Sequence, residues 1–163
     1  MSVPQLPLAL RAPSDQRLDS YIAAPDGLIA QLQAFAAGDR GRALEGWAGE
    51  RWLDIRSATV RDVMAARIAR AATRGCDGVE PDNVDGFDNA TGFALTAADQ
   101  RDYNRFLAAA AHRAGLGVDV GSERELAQVL EAGVPPHDVV VTAAIKPDPV
   151  LRLALESRSL LVL

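Results

Sequence analysis

The stretch GCDGVEPDNVDG, Gly75–Gly86, joins a short apolar pattern to a loop that is crowded with acids. Its first half, Gly75–Glu80, predicts a β-strand, and Pro81–Gly92 predicts a long acidic loop with turn-forming Asn and Gly residues. Helical periodicity flanks this region on both sides, at Thr59–Arg74 and Thr96–Ala114. A short strand between helices of this length is typical of a parallel sheet with crossover helices.

The same alternation of strand and helix continues outward towards both ends of the chain. Further helices are predicted at Ser122–Ala132 and Asp148–Ser157, and a turn-rich loop at Gly38–Gly49. The remaining predicted strands are Tyr21–Ala24, Trp52–Arg56, Leu116–Val120, Val139–Ala144 and Leu160–Leu163.

These elements predict an α/β fold, an incomplete TIM-barrel-like (β/α) unit of about five to six parallel strands, whereas a closed barrel has eight. An open strand edge favours pairing with another chain, so we expect a homodimer that pairs edges or completes a barrel. Residues 1–20 are expected to form a loose N-terminal tail and residues 21–163 a single α/β domain.

Polar residues mark the predicted helix starts, and glycines mark the ends. Capping boxes, in which a hydroxyl and a carboxylate exchange hydrogen bonds with the backbone, are predicted for Thr59 with Asp62, Thr96 with Asp99, and Ser122 with Glu125. Left-handed glycines are predicted after the helices at Gly75, Gly115 and Gly133.

Composition excludes several classes of partner. The net charge is −5 and the 17 basic residues are scattered, which argues against a nucleic-acid groove. No apolar run is long enough to cross a membrane. The start of the chain shows no evident signal peptide, so a cytoplasmic or recombinant chain is expected. The single cysteine, Cys76, lies in an apolar pattern and is expected to be a buried core thiol.

Acidic side chains are predicted at the carboxyl ends of the strands, where barrel enzymes bind their ligands. Crowded oxygen ligands suit a divalent ion such as Mn²⁺, Mg²⁺ or Ca²⁺. The predicted metal ligands are Asp54, Glu80, Asp82, Asp85 and Asp119, and Lys146 is a weaker candidate for contacting a small-molecule substrate. A loop of solvated acids without a ligand is the alternative interpretation.

The chain also resembles a known family over about 70 residues. The segments GWAGERWLDIR (Gly46–Arg56) and Arg74–Val118, which contains GCDGVEPDNVDG, are similar to family 114 glycoside hydrolases of the endo-α-1,4-polygalactosaminidase type. This resemblance implies a glycosidase-like barrel fragment of about residues 21–118, in which Asp54 and Glu80 form the glycosidase carboxylate pair.

The end of the chain resembles a second family. The segment of about residues 117–163, VDVGSERELAQVLEAGVPPHDVVVTAAIKPDPVLRLALESRSLLVL after Gly117, is similar to the barrel of diaminopimelate- and ornithine-type decarboxylases. The segment that carries that family's Schiff-base lysine has no counterpart, so pyridoxal phosphate is not expected. The two resemblances together suggest a chimera with a seam within Leu116–Val120.

Three functions are compatible with these sequence patterns. A metal-assisted hydrolase of a phosphodiester or similar ester, using the strand-end carboxylates Asp54 and Glu80, is favoured because a bound ion would offset the charge of the substrate. The first alternative is a residual glycoside hydrolase that uses Asp54 and Glu80. The second is a non-catalytic recombined or designed fold.

Overall fold

Four α-helices alternate with short strands in this computed structural model, which describes residues 35–47, 50–143 and 146–162. The helices are α1 (Ala58–Thr73), α2 (Ala97–Arg113), α3 (Glu123–Glu131) and α4 (Asp148–Ser157). Each differs from its predicted bounds by at most one residue at either end. Among the described residues, no helix is long and apolar enough to cross a membrane.

The strands form two separate sheets. They are β1 (Arg40–Ala43), β2 (Arg51–Leu53), β3 (Gly78–Val79), β4 (Gly117–Val120), β5 (Val139–Val141) and β6 (Leu160–Leu161). The last four pair in parallel in the order β3-β4-β5-β6, whereas β1 and β2 form an antiparallel pair. Register places Val118 beside Val139 and Val140 beside Leu160.

This architecture confirms the α/β class with a parallel sheet and crossover helices. The described residues contain four parallel strands, so the predicted count of five to six is not confirmed. The strand expected at Tyr21–Ala24 and the tail of residues 1–20 lie outside the described residues. Closure into a barrel and pairing into a homodimer stay predictions.

The antiparallel hairpin β1–β2 was expected as a loop followed by a parallel strand. β1 was missed because Arg40 and Arg42 are charged and exposed, so the segment lacks the apolar pattern of a buried strand. β2 stops at Leu53 because a turn follows it: the Ser57 N–H donates to the Asp54 carbonyl at 3.0 Å.

All four helices end in the same backbone arrangement. One residue adopts a left-handed conformation, and the next donates its N–H to a carbonyl five residues earlier, which satisfies an exposed helix-end acceptor. The left-handed residues are Gly75, Gly115, Gly133 and Arg158. The bonds run from Cys76 to Ala71, Leu116 to Ala111, Val134 to Val129 and Ser159 to Ala154, at 3.0–3.3 Å.

This arrangement explains why the predicted strands start later than expected. Cys76 and Leu116 are committed to helix ends, so β3 begins at Gly78 and β4 at Gly117. The prediction of a buried Cys76 is wrong for the same reason: the thiol is exposed at the helix end.

The predicted helix starts are partly confirmed. Thr96 and Asp99 form the full capping box of α2. In α3 the Ser122 hydroxyl accepts from the Glu125 N–H, but the Glu125 carboxylate accepts from the N–H of Gly121 instead. The box expected at Thr59 is wrong, because α1 starts after Ser57 without a side-chain cap.

The core lies between the parallel sheet and the helices. Alternate residues of β4 and β5 are buried on the helix side, and Leu126 of α3 and Ala154 of α4 are fully buried against them. Desolvation in this core raises the pKa of Tyr103 on α2 to about 12. The other face of the strands, which carries Asp119, is only half-buried.

Candidate functional site

Polar side chains lie where the parallel strands end. Glu80 directly follows β3 and is exposed. Asp119 is the third residue of β4, and its Oδ1 accepts from the hydroxyl of Thr142, just after β5, at 2.7 Å. Lys146 donates from Nζ to the Ala143 carbonyl at 2.7 Å. The parallel sheet therefore brings three of the predicted site residues to one edge, where ligands of parallel α/β folds bind.

The acidic loop, Pro81–Gly92, is shaped by local backbone turns. Asn83 adopts a left-handed conformation at φ 54°, and a single 3₁₀ turn follows at Gly86–Asp88. The Asn89 amide donates to the Asp85 carbonyl at 3.1 Å, which holds the end of this turn. The Asp82 carboxylate accepts from the Asn83 N–H at 2.8 Å, and the acidic side chains of the loop remain exposed. The exposed acids of this region are Glu80, Asp82, Asp85 and Asp88.

Asp54 is engaged by a basic neighbour. Arg56 donates from Nε and Nη2 to the two carboxylate oxygens of Asp54 at 2.8 and 2.9 Å. These hydrogen bonds hold the pKa of Asp54 below its usual range, with further lowering from the Arg56 backbone N–H and charge and partial opposition from burial. Arg56 therefore favours the ionised form of Asp54.

The same arginine links β2 to the start of α2. Arg56 donates from Nη1 to the Ala94 carbonyl at 3.4 Å. Beyond it, the Thr96 hydroxyl donates to Asp99 at 2.7 Å and holds the pKa of that carboxyl below its usual range. This cluster fixes the end of the hairpin against α2 through charge-assisted hydrogen bonds.

The structure does not assemble the predicted metal site. Within residues 35–47, 50–143 and 146–162, no group of three or more His, Cys, Asp or Glu side chains is placed to hold an ion. Asp54 pairs with Arg56 and Asp119 with Thr142, while the loop acids remain separately exposed. Spacing along the chain predicted a cluster, which the described residues do not form.

A cavity of about 30 Å³ lies between the acidic loop, α2, α3 and β4. Its lining includes Val84, Leu107, Val118 and Gln128. A volume of this size has room for about one or two water molecules.

The sequence analysis missed three amide side chains of α2 and α3, two of which, Asn104 and Gln128, line this cavity. Gln100 and Asn104 are on α2, four residues apart and therefore on one helix face, and Gln128 is on α3. Gln100 and Gln128 are buried, at 3% and 6% exposure. The signal was present in the sequence, because two amides in register interrupt the otherwise apolar face of a helix.

Comparison with known proteins decides the family. The model of glycoside-hydrolase family GH114 matches residues 27–144. The fold is also similar to the crystal structure of Aspergillus fumigatus Ega3 in complex with galactosamine, with a TM-score of 0.58 and 38% sequence identity. That match covers 68% of this chain and 43% of the Ega3 chain. None of the curated proteins compared matches the chain.

The chain belongs to glycoside-hydrolase family GH114. This result overturns the prediction of a metal-assisted phosphodiesterase, since both matches point to glycoside hydrolysis. The favoured prediction failed because it rested on the number of carboxylates, whereas the alternative rested on the matching segment around Gly75–Gly86.

The GH114 match also bears on the predicted chimera. It continues to residue 144, across the seam expected within Leu116–Val120. The GH114 part of the prediction is confirmed, and none of the comparisons supports a decarboxylase segment. The chain spans less than half the length of Ega3, so the activity of a whole GH114 enzyme is a proposal for this protein.

Proposed function

We propose that this chain supplies part of the sugar-binding and catalytic face of a glycoside hydrolase that acts on a galactosamine-containing glycan. The observation that carries the proposal is the exposed carboxylate edge around Glu80, in a chain that is 38% identical to a protein crystallised with galactosamine. Galactosamine has a primary amine that is protonated at neutral pH, and exposed carboxylates attract such a cation.

The charge of the acidic region supports this substrate class. None of Glu80, Asp82, Asp85 and Asp88 forms an ion pair with another described residue. Their negative charge is therefore available to an incoming ligand rather than neutralised within the fold. A neutral or anionic glycan would lack this charge attraction.

The two carboxylates of the proposed pair differ in their surroundings. Asp54 stays ionised beside Arg56, which suits a group that stabilises positive charge on the reacting sugar. Glu80 has no hydrogen bond or ion pair with another described residue, so it is free to approach a glycosidic oxygen. We assign proton transfer to Glu80 and charge stabilisation to Asp54.

The experiment measures binding and cleavage of a galactosamine oligosaccharide by the chain and its Glu80→Gln variant. Glu80→Gln keeps the size of the side chain but cannot transfer a proton. We expect it to lower the release of reducing ends by about a hundredfold or more, with a much smaller effect on affinity. Asp62→Asn, which removes an exposed acid from α1, is the matched control and should change neither quantity.

Two further conditions sharpen the test. Affinity should fall as salt is raised, because the attraction is between exposed charges. Cleavage should continue in EDTA, since the proposed pair needs no metal. Equal binding of an N-acetylated oligosaccharide, or full cleavage by Glu80→Gln, would contradict the proposal.

A further inference from the structure

Three amide side chains form a continuous hydrogen-bonded chain between α2, α3 and the acidic loop. Gln100 Nε2 donates to Asn104 Oδ1 at 2.8 Å, and Asn104 Nδ2 donates to Gln128 Oε1 at 2.8 Å. The same Asn104 nitrogen donates to the Val84 carbonyl at 3.3 Å. We call these three side chains the amide relay.

The Val84 carbonyl of the loop determines which amide atoms of the amide relay donate hydrogen bonds and which accept them. The Val84 carbonyl can only accept, so the Asn104 nitrogen must face it and the Asn104 oxygen must face Gln100. Gln100 therefore donates through its nitrogen, and its Oε1 is left buried without a donor among the described residues. An apolar helix face would avoid this unsatisfied atom, so the amide relay does something that packing alone does not require.

The amide relay binds the middle of the acidic loop at Val84. Val84 lies between two of the exposed acids, Asp82 and Asp85. The next residues also rest on the helices: a Cβ at Gly86 would lie 3.4 Å from Gln100 Oε1, and the Phe87 ring lies 4.9 Å from the Arg124 guanidinium of α3. The loop is thus fixed to the helices by its backbone and its aromatic ring, while its carboxylates face solvent.

We propose that Asn104 is a positioning residue that acts through the Val84 carbonyl to set the loop carboxylates relative to Glu80. It touches neither substrate nor reacting atoms. Because Asn104 also bonds to Gln128, the position of the loop depends on how α3 packs against α2. The role in sugar binding rests on the proposed function, whereas the role in holding the loop does not.

The test compares two variants that both lack the Asn104 hydrogen bond to the Val84 carbonyl but are expected to differ in stability. Asn104→Leu removes the anchor and leaves Gln100 and Gln128 with unpaired amides. A triple variant, Gln100→Leu with Asn104→Leu and Gln128→Leu, removes all the amides together, which restores helix packing without restoring the anchor. The control is Arg105→Ala, which breaks an exposed ion pair between α2 and Glu131 of α3 and leaves the loop untouched.

The first readout is amide hydrogen exchange without ligand. The N–H groups of Asp88 and Asn89, which bond to the carbonyls of Asp85 and Gly86, report on the loop turn. We expect their exchange to be about five- to tenfold faster in both variants, and unchanged in the control, on the scale of one lost hydrogen bond. If Asn104→Leu alone does not fold, the triple variant carries the test.

The second readout is affinity for a galactosamine oligosaccharide. We expect both variants to bind more weakly than the control, although the triple variant unfolds at a denaturant concentration close to that of the original chain. Recovery of both loop protection and affinity in the triple variant would overturn the positioning role. If no variant and not even the original chain binds the sugar, the proposed function fails, and the exchange data still decide whether Asn104 holds the loop.

Discussion

At the scale of single residues, Arg56 binds the carboxylate of Asp54, the acid that follows β2, through hydrogen bonds from its side chain and its backbone. The two residues are separated by one position, and the Arg56 N–H also donates to Asp54 Oδ1 at 3.1 Å. Arg56 thus stabilises the turn after β2 through its backbone N–H, and it lowers the pKa of the Asp54 carboxylate through its guanidinium. These hydrogen bonds favour the ionised form of the carboxylate.

Removing the guanidinium should return Asp54 to ordinary behaviour. In Arg56→Ala we expect the pKa of Asp54 to rise towards its usual value, because the bonds that favour the ionised form are lost. A carboxyl carbon titration by NMR measures this directly. Arg101→Ala, an exposed arginine on α2, is the control and should leave the pKa of Asp54 unchanged.

The sign of the accompanying stability change follows from linkage. The pKa of Asp54 is lower in the folded state, so its stabilising contribution is present above the unfolded pKa and is lost as pH falls through the folded one. Arg56→Ala should therefore flatten part of the loss of stability between about pH 4 and the folded pKa. An unchanged acid unfolding curve would show that the pair contributes nothing.

At the scale of elements, the recurring helix ends explain which parts of the fold could be predicted. Three of the four left-handed residues that follow helices are glycines, and these glycines correctly predicted where the helices end. The fourth is Arg158, a residue type that gives no such signal. β1 escaped prediction because an exposed antiparallel strand with two arginines lacks the apolar run of a buried parallel strand.

Two substitutions at these ends should have opposite signs. Gly115→Ala should destabilise the chain by about 1 kcal/mol, because its φ of 73° is strained for alanine while no atom lies within 4 Å of the added Cβ. Arg158→Gly should stabilise it by up to about 1 kcal/mol, because the same strain at φ 64° is relieved and exceeds the entropy cost of glycine. Urea unfolding measures both, and an equal sign for the two would contradict this account.

At the scale of the whole molecule, the sheet and helices share one core, but the candidate site is spread along its edge. Alternation and helix periodicity predict the core well because burial repeats along each element. The site was harder to predict, since Asp119 with Thr142 and Asn104 with Val84 are pairs that only the folded chain brings together. The carboxylates could be counted along the chain, but the directions of their side chains could not be predicted.

The centre of this core should be sensitive to truncation. Leu126→Ala should cost about 2–5 kcal/mol in the free energy of unfolding, because the side chain is 0% exposed and its removal leaves a cavity. Leu155→Ala on α4, which is 67% exposed, is the matched control and should change stability by less than about 0.5 kcal/mol. Chemical denaturation followed by circular dichroism separates the two, and equal losses would place the core elsewhere.

The position of Lys146 allows a distance within the protein to be measured by fluorescence energy transfer. It is the single lysine of the chain, so once the α-amino group has been blocked, an amine-reactive dye attaches only at this residue, at the carboxyl edge of the sheet. Both tryptophans, Trp47 and Trp52, lie in or beside the hairpin. Energy transfer from the indoles to that dye therefore reports the distance between hairpin and sheet edge without any engineered label site.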